Sequence, residues 1–282
     1  AWYFEESNAP AMPFAVLLEA ALQPCGWLAV FVGCPAKSDI DLYFRNLDGS
    51  GTIQRELTPD SGTLRTRTTL TSISKVVPMT LVSFELTCAL ADGSPVYELK
   101  TGFGFFPKEA LAQQVGLPAS DEERAAFLDA ESDVRIDLTA RPERYCEGTP
   151  RLPGPMLLML DTVTGYWPQG GPAGLGRLRS EKRVDPSEWF FKAHFFQDPV
   201  QPGSLGIEAM IQLLQFYMLE ENLAVGIEAP RFEPLSEGRA MTWKYRGQVT
   251  PEKGVIRVEM NITARGHDDD GAAYASAEAW LW

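Results

Sequence analysis

Three groups within one short stretch of the chain could carry acid–base chemistry together. His194 is one of only two histidines, and an imidazole exchanges protons readily near neutral pH. Gly203 opens a helical run, where bare N–H groups and the helix dipole can stabilise a developing oxyanion. Glu208 follows in the same run, and a buried carboxyl group can act as an acid if desolvation keeps it protonated. The stretch therefore offers a base, an oxyanion donor and an acid.

The elements that must position these groups are readable from the surrounding residues. The bulky aromatics from Trp189 to Phe196 favour a β-strand and would shield His194 from water. A turn at Pro202 and Gly203 then leads into an apolar run of about four turns, which predicts a buried helix. A histidine between aromatics is more often a core residue than a catalytic one, so the residue types alone leave both interpretations open.

The segment HFFQDPVQPGSLGIEA, which begins at His194, resembles the signature of the β-hydroxyacyl-acyl-carrier-protein dehydratases of the β-hydroxydecanoyl type. The pattern H-F-x-x-D-P-V-x-P-G-x-L-G-x-(acid)-A is met at each position, with Glu208 where family enzymes usually carry aspartate. The similarity covers residues 150 to 282. It implies a hot-dog fold, in which an antiparallel sheet wraps around a central helix.

The resemblance also implies a reaction, the dehydration of a 3-hydroxyacyl thioester to a trans-2-enoyl thioester. His194 would take the proton from C2, the Gly203 N–H would polarise the thioester carbonyl, and a helix acid would protonate the leaving hydroxyl. Some family members also shift the double bond from trans-2 to cis-3. No metal or redox cofactor is needed for this acid–base reaction, and the substrate arrives on the phosphopantetheine of an acyl carrier protein.

An acyl tail on that substrate needs an apolar tunnel. The candidates for lining it are Phe190, Phe191, Phe195, Leu205 and Met210. Two rival functions use the same fold. One is a hot-dog acyl-thioesterase, and proteins of that class commonly lack the H-x-x-x-D-P motif. The other is a non-catalytic acyl-binding scaffold.

An internal repeat relates the two halves of the chain. PAMPFAVLLEAALQPCGWLA, from Pro10, aligns with PVQPGSLGIEAMIQLLQFYM, from Pro199, at a constant offset of 189. Glu19 then matches Glu208, and Gln23 matches Gln212. For the two glutamines, structural hydrogen bonding and substrate binding are both open.

The repeat continues beyond the helices through paired turn signals. Thr58-Pro59 matches Thr250-Pro251, and the hairpin signal Asp92-Gly93 has its counterpart at Asp270-Gly271. Each half is therefore predicted to be one long helix followed by three or four antiparallel strands. The predicted fold is α+β, a tandem hot dog with domains at 1–106 and 151–282. Residues 107–150 are a linker with short helices, one of them starting at the capping box of Ser120 and Glu123.

The first half lacks the base, since Glu5 and Ala9 stand where the second half has His194 and Asp198. It resembles the pseudo-dehydratase half that precedes an active half in polyunsaturated fatty acid synthases, which are large multidomain proteins. That resemblance implies that the chain is a region of a longer polypeptide.

The family's usual unit is a dimer of hot dogs, so two hot dogs in one chain would form an intramolecular pseudodimer, and a further homodimer is open. In such dimers the histidine of one hot dog faces the helix acid of the other. The resemblance therefore implies that His194 pairs with Glu19, and Glu208 of the same hot dog is the alternative acid partner.

Composition excludes several other classes. The net charge of −13 argues against nucleic acid and anionic membrane surfaces as partners. The apolar run from Phe14 to Gly33 is interrupted by Glu19, Gln23 and Pro24, so we expect no membrane span. Four cysteines without a C-x-x-C pair indicate reduced thiols in a cytoplasmic protein.

Two remaining clusters have a polar or basic character. His267 lies in a Gly-His-Asp-Asp-Asp sequence that predicts a polar hairpin turn rather than a metal site. The densest basic cluster is predicted either to dock an acidic carrier protein or to form a solvated hairpin; it comprises Arg177, Arg179, Lys182 and Arg183.

Overall fold

The computed structural model describes residues 1–36 and 38–282. The chain forms two compact units, each named here after its candidate site residue. The His194 unit comprises Ala1–Pro10, Ala119–Glu233 and Val249–Trp282, and the Glu19 unit comprises Ala11–Pro118 and Pro234–Gln248. Each unit is an antiparallel sheet packed against one long helix.

The helices within the described residues are α1 (Trp2–Glu6), α2 (Phe14–Phe31), α3 (Lys108–Ala112), α4 (Asp121–Leu128), α5 (Glu143–Cys146), α6 (Trp189–Ala193) and α7 (Gly203–Glu220). The strands are β1 (Tyr43–Ile53), β2 (Leu64–Val76), β3 (Met79–Leu90), β4 (Pro95–Phe106), β5 (Ile136–Asp137), β6 (Thr162–Trp167), β7 (Arg177–Arg183), β8 (Ala240–Lys244), β9 (Val255–His267) and β10 (Ala273–Leu281).

The Glu19 unit has the strand order β2-β3-β4-β1-β8. Strand β8 comes from late in the sequence and pairs with β1, so that Gly49 lies opposite Trp243. A side chain at Gly49 would overlap the Trp243 indole, whose Nε1 donates to Asn46 Oδ1 at 2.9 Å. A glycine on β1 therefore makes room for the aromatic ring that fixes the added strand.

Helix α2 packs on β2 and β3 through buried residues that include Leu18, Ala21 and Cys25. By length and composition alone it would suffice for a membrane span, with a mean hydropathy of 1.6 over 18 residues. Core helices of sheet proteins have the same composition, and the packing against β2 and β3 makes α2 a core helix of its unit.

The His194 unit has the strand order β10-β9-β7-β6-β5, and α7 packs on β7, β9 and β10. On the other face of the sheet, two arginine side chains of β7 donate hydrogen bonds to backbone carbonyl groups in the last turn of α4. Arg177 donates to Ala126 O at 2.6 Å, and Arg179 donates to Leu128 O at 2.6 Å. Both faces of the central strand are therefore buried, which explains why Glu259 on β9 is fully enclosed.

The two units confirm the predicted α+β class and tandem hot-dog architecture. The repeated turn signals also form as predicted: Gly62 and Gly254 have positive φ values of 78° and 73°, and Gly93 closes a hairpin onto Leu90 O. The capping box at Ser120 and Glu123 starts α4 with both reciprocal hydrogen bonds present. Glycine is required at the positive-φ positions because a side chain would be strained there.

The strand predicted at the aromatic residues before His194 is wrong, because Trp189–Ala193 is a short helix. Trp2–Glu6, which is also rich in aromatic residues, is a short helix as well. The indole rings of Trp2 and Trp189 meet edge to face at 5.3 Å. Packing of these rings outweighs the intrinsic strand preference of aromatic residues, which depends strongly on context.

The segment after α4 is more than a solvated connection. Leu138, Tyr145 and Leu152 are buried, and the Tyr145 hydroxyl donates to the Glu220 carboxylate at the end of α7. This segment therefore contributes to the core of the His194 unit.

Candidate active site

His194 follows α6 directly, and one of its ring nitrogens is held by the backbone. Its Nδ1 lies 2.9 Å from the carbonyl oxygen of Val200. Because a carbonyl oxygen only accepts, Nδ1 must carry the proton, and the neutral ring then has its lone pair on Nε2. The geometry therefore selects the tautomer in which Nε2 is a proton acceptor.

The loop between α6 and α7 makes this hydrogen bond possible by folding back on itself. Gln197 adopts a left-handed φ of 56°, and the buried Val200 is braced where the Gln201 N–H donates to Val249 O at 2.9 Å. The carbonyl that orients the imidazole is thus fixed by a neighbouring backbone hydrogen bond to a distant segment of the same unit.

The surroundings of the imidazole differ from those of a core histidine. The residue is half-buried, and the Phe195 ring packs beside it with a centroid distance of 4.1 Å. The next residue, Phe196, is 89% exposed. A half-buried ring with one oriented nitrogen is suited to proton exchange with a ligand.

Gly203 is the first residue of α7, after Pro202 at the N-cap position. The N–H of a first helical residue has no intrahelical acceptor, and the dipole of this 18-residue helix adds partial positive charge there. The structure thus places a backbone donor at the predicted position.

Glu208 and Gln212 form a hydrogen-bonded pair on the buried face of α7. Gln212 Nε2 donates to Glu208 Oε1 at 3.1 Å and to Leu157 O at 2.8 Å, while its Oε1 accepts from Met159 N at 2.7 Å. Gln212 is fully buried and Glu208 is 7% exposed. These bonds use both donors and the acceptor of the Gln212 amide, which favours a structural role over substrate binding.

The equivalent pair on α2 has a different environment. Glu19 is half-buried and Gln23 is exposed. Burial, with a smaller contribution from the charge of Glu19, raises the pKa of Tyr245 well above its ordinary value.

Three of the predicted tunnel residues, Phe191, Phe195 and Leu205, are near the histidine in sequence but differ in exposure. Phe191 and Leu205 are buried, with 5% and 4% of their surface exposed, and Phe195 is half-buried against His194. Sequence reasoning missed the Val200 carbonyl, since a backbone acceptor has no side-chain signature.

The basic cluster does not form the exposed surface that docking of an acidic carrier protein would require. Arg179 is buried and donates to Thr164 O, while Arg177 pairs with Glu259 at 2.7 Å. Lys182 lies 2.8 Å from Glu188. These cations are engaged within a central strand, and Arg183 is the exposed member.

His267 ends β9 at a hairpin, as predicted. The Asp268 N–H donates to Ala272 O at 3.0 Å, and the Ala272 N–H returns to the Asp268 carboxylate at 2.9 Å. Among residues 1–36 and 38–282, no group of three or more His, Cys, Asp or Glu side chains is placed to hold a metal ion.

Comparison with known proteins shows which proteins and domains this chain is similar to. Residues 152–282 match the model of the FabA-like domain. The whole chain aligns with one of the subunits of the polyunsaturated fatty acid synthase of Thraustochytrium sp., with 32% identity over 305 aligned positions. The alignment spans 20% of that relative, so the chain covers about a fifth of its length.

Solved structures resemble the chain at lower identity. A protein from Lactobacillus plantarum, described as an oleoyl thioesterase, is 12% identical with a TM-score of 0.50, covering 99% of this chain and 87% of that protein. A conserved hypothetical protein from Mycobacterium tuberculosis, described as having a double hot-dog fold, is 15% identical with a TM-score of 0.48, covering 99% and 78%. At such identities the likeness concerns the fold alone. The motif at His194, the hot-dog architecture and the matched model agree that residues 152–282 form a FabA-like domain.

Proposed function

We propose that this chain is a dehydratase that converts 3-hydroxyacyl thioesters, carried on an acyl carrier protein, into trans-2-enoyl thioesters during polyunsaturated fatty acid synthesis. The observation that carries the proposal is the hydrogen bond from His194 Nδ1 to Val200 O. It leaves Nε2 as the base within a FabA-like domain.

The reaction needs one proton removed and one supplied. His194 Nε2 accepts the C2 proton while the Gly203 N–H donates to the thioester oxygen, where negative charge develops. The electrons of the C2–H bond form the C2=C3 double bond. The C3–O bond breaks as a helix carboxyl group protonates the hydroxyl, which leaves as water. The resulting imidazolium and carboxylate regain their starting forms by proton exchange with solvent.

The acid in this proposal is Glu19, in keeping with the family's pairing of a histidine with the helix acid of the other hot dog. Support comes from Glu208, one of whose oxygens already accepts from the fully engaged Gln212 amide. A carboxyl group held in this way is better suited to fixing the Leu157–Met159 segment than to donating a proton.

The substrate is held by a phosphopantetheine arm, and its tail contacts the apolar side chains of Phe191, Phe195 and Leu205. The protein needs no metal or redox cofactor for this chemistry. We place the reaction in the cytoplasm, since the four cysteines are free thiols.

A turnover assay on a 3-hydroxyacyl thioester, with His194→Ala as the control, tests the function. We expect enoyl product from the unaltered chain and a loss of about 10²- to 10⁴-fold in kcat for the variant, the usual contribution of a general base. Release of free thiol without enoyl product would instead support a thioesterase. Binding without turnover would support an acyl-binding scaffold.

A further inference from the structure

The first ten residues of the chain lie in the unit that contains His194, although they belong by sequence to the first repeat. Ala1–Pro10 is part of the His194 unit, whereas the chain from Ala11 to Pro118 forms most of the Glu19 unit. Glu5 stands at the position equivalent to His194, so this segment lacks the base of its counterpart. Its packing into the unit that has the base indicates that it serves another purpose there.

Glu6, the last residue of α1, holds a loop of the His194 unit through both its backbone and its side chain. Its carbonyl oxygen accepts from Gly154 N at 2.6 Å, and its carboxyl Oε2 accepts from Met156 N at 3.1 Å. A side chain at Gly154 would place its Cβ 2.2 Å from the same Oε2, so the glycine makes room for the carboxyl group. Glu6 is therefore closely fitted to this loop.

The loop, residues 154–159, also contacts the start of the helix that leads to the histidine. Trp189 is the first residue of α6, and its indole Nε1 donates to Met156 O at 3.4 Å. The Trp2 ring of α1 packs edge to face on the Trp189 ring, with the centroids 5.3 Å apart. Because α6 ends directly before His194, these contacts fix the helix from which the imidazole projects.

The same loop is bonded to the helix that begins at Gly203. Gln212 on α7 donates to Leu157 O at 2.8 Å and accepts from Met159 N at 2.7 Å. Residues 154–159 are therefore a common anchor for α6, which carries the proposed base at its end, and for α7, which carries the proposed oxyanion donor at its start.

We propose that Glu6 is a positioning residue for the dehydration. By holding residues 154–159, it fixes α6 relative to α7 and so sets the placement of His194 relative to the Gly203 N–H. Hydrogen bonds to a carboxylate are stronger than those to neutral acceptors, and small displacements of reacting groups cost rate. The repeat that lacks the base thus contributes a support to the unit that has it. This inference rests on the proposed function.

The experiment compares three variants by their kcat and KM for a 3-hydroxyacyl thioester. For Glu6→Ala we expect about ten-fold lower kcat, the size of one charge-assisted hydrogen bond, with KM nearly unchanged. Glu6→Gln keeps an oxygen that can accept from Met156 N, so it should recover most of the lost rate. Glu5→Ala is the matched control, because Glu5 is exposed on the same helix, and it should match the unaltered chain.

Rescue by the glutamine separates positioning from a role in stability alone. A purely stabilising contact would lower the melting temperature of Glu6→Ala while leaving its kcat unchanged, and that result overturns the inference. Glu6→Gln as slow as Glu6→Ala also overturns it, because the loss would then not arise from the missing acceptor. If Glu6→Ala does not fold, Glu6→Met keeps the side-chain length without an acceptor, and a folded Glu6→Met with unchanged kcat has the same meaning.

Hydrogen exchange tests the contact itself, without any turnover. Met156 is 49% exposed, so its amide should exchange rapidly unless the Glu6 carboxyl group protects it. We expect the Met156 amide to exchange at least about ten-fold faster in Glu6→Ala than in Glu5→Ala. Equal exchange rates in the two variants would show that Glu6 does not hold this amide, which overturns the inference.

A double variant asks whether the effect passes through residues 154–159. Trp189→Phe removes the indole N–H that reaches Met156 O, and it should itself lower kcat. If both side chains act through the same loop, Glu6→Ala should cause a smaller further loss in the Trp189→Phe background than alone. Losses that multiply in full would overturn the inference.

These outcomes remain distinct from failure of the proposed function. If the unaltered chain forms no enoyl product, or His194→Ala is fully active, the dehydratase proposal is wrong. If the unaltered chain is active, His194→Ala is inactive and Glu6→Ala matches the unaltered chain, only the inference about Glu6 is wrong.

Discussion

The long helices α2 and α7 carry the same glutamate and glutamine pair, yet the two pairs have different surroundings. On α7, Gln212 is fully buried and ties Glu208 to the backbone at Leu157 and Met159. On α2, Gln23 is exposed and Glu19 is half-buried. The difference teaches that equivalent residues of a repeat can have different surroundings: one pair fixes a backbone segment, whereas in the proposed function the glutamate of the other pair donates a proton.

The two glutamates can be compared directly in catalysis, where we expect the largest effect of substitution. Replacing Glu19 by Gln removes the proton donor, and we expect kcat to fall by about 10²- to 10⁴-fold, the usual contribution of a general acid. Glu208→Gln keeps an oxygen that accepts from Gln212, so its kcat should change far less. The rate of enoyl formation measures both.

The opposite pattern would contradict the division of tasks. If Glu208→Gln is inactive and Glu19→Gln retains full activity, Glu208 is the acid, and the pairing of His194 with the helix acid of the other hot dog is wrong. Circular dichroism on both variants controls for loss of fold.

The next effect concerns stability and compares the two glutamines. Gln212→Met keeps the volume but leaves Met159 N–H, Leu157 O and the Glu208 carboxylate without their partner. We expect a loss of about 2 to 4 kcal/mol in the free energy of unfolding, the cost of buried unsatisfied groups.

Gln23→Met is the matched control on the exposed face of α2, and we expect a change within about 0.5 kcal/mol. Urea denaturation measures both variants. Equal losses would show that the α2 glutamine is as deeply engaged as its counterpart on α7.

The equivalence of the two pairs was predictable, because the constant offset between the repeats aligned Glu19 with Glu208 and Gln23 with Gln212. The two helices and the glycine turns have local causes, namely apolar runs and positive φ values, so sequence patterns predict them. The motif likewise pointed to His194 and Gly203.

What sequence reasoning missed depends on contacts between residues far apart in the chain. Val200 acts through its carbonyl, and β8 joins the sheet of the Glu19 unit by pairing with β1, which no local pattern encodes. The arginines of β7 were expected at the surface because charge favours exposure. Glu259 and the carbonyls of α4 neutralise and bind them inside the unit instead.

The test with the smallest expected effect compares two cysteines, one on the buried face of α2 and one just beyond the end of this helix. Cys25 is fully buried against the sheet, and burial raises the pKa of its thiol to about 12. Cys34, just beyond the helix, is half-buried. At pH 8 a thiol with that pKa is ionised in about one molecule in 10⁴, and the thiolate is the reactive form.

We therefore expect a thiol reagent at pH 8 to modify Cys34 in the folded protein, and Cys25 only after denaturant is added. Peptide mass spectrometry identifies the modified residue, and enoyl formation should survive modification of Cys34, which lies outside the proposed site. Equal labelling rates for the two thiols in the folded protein would mean that this face of α2 is not packed on β2 and β3. The half-buried environment of Glu19, which depends on that packing, would then be wrong as well.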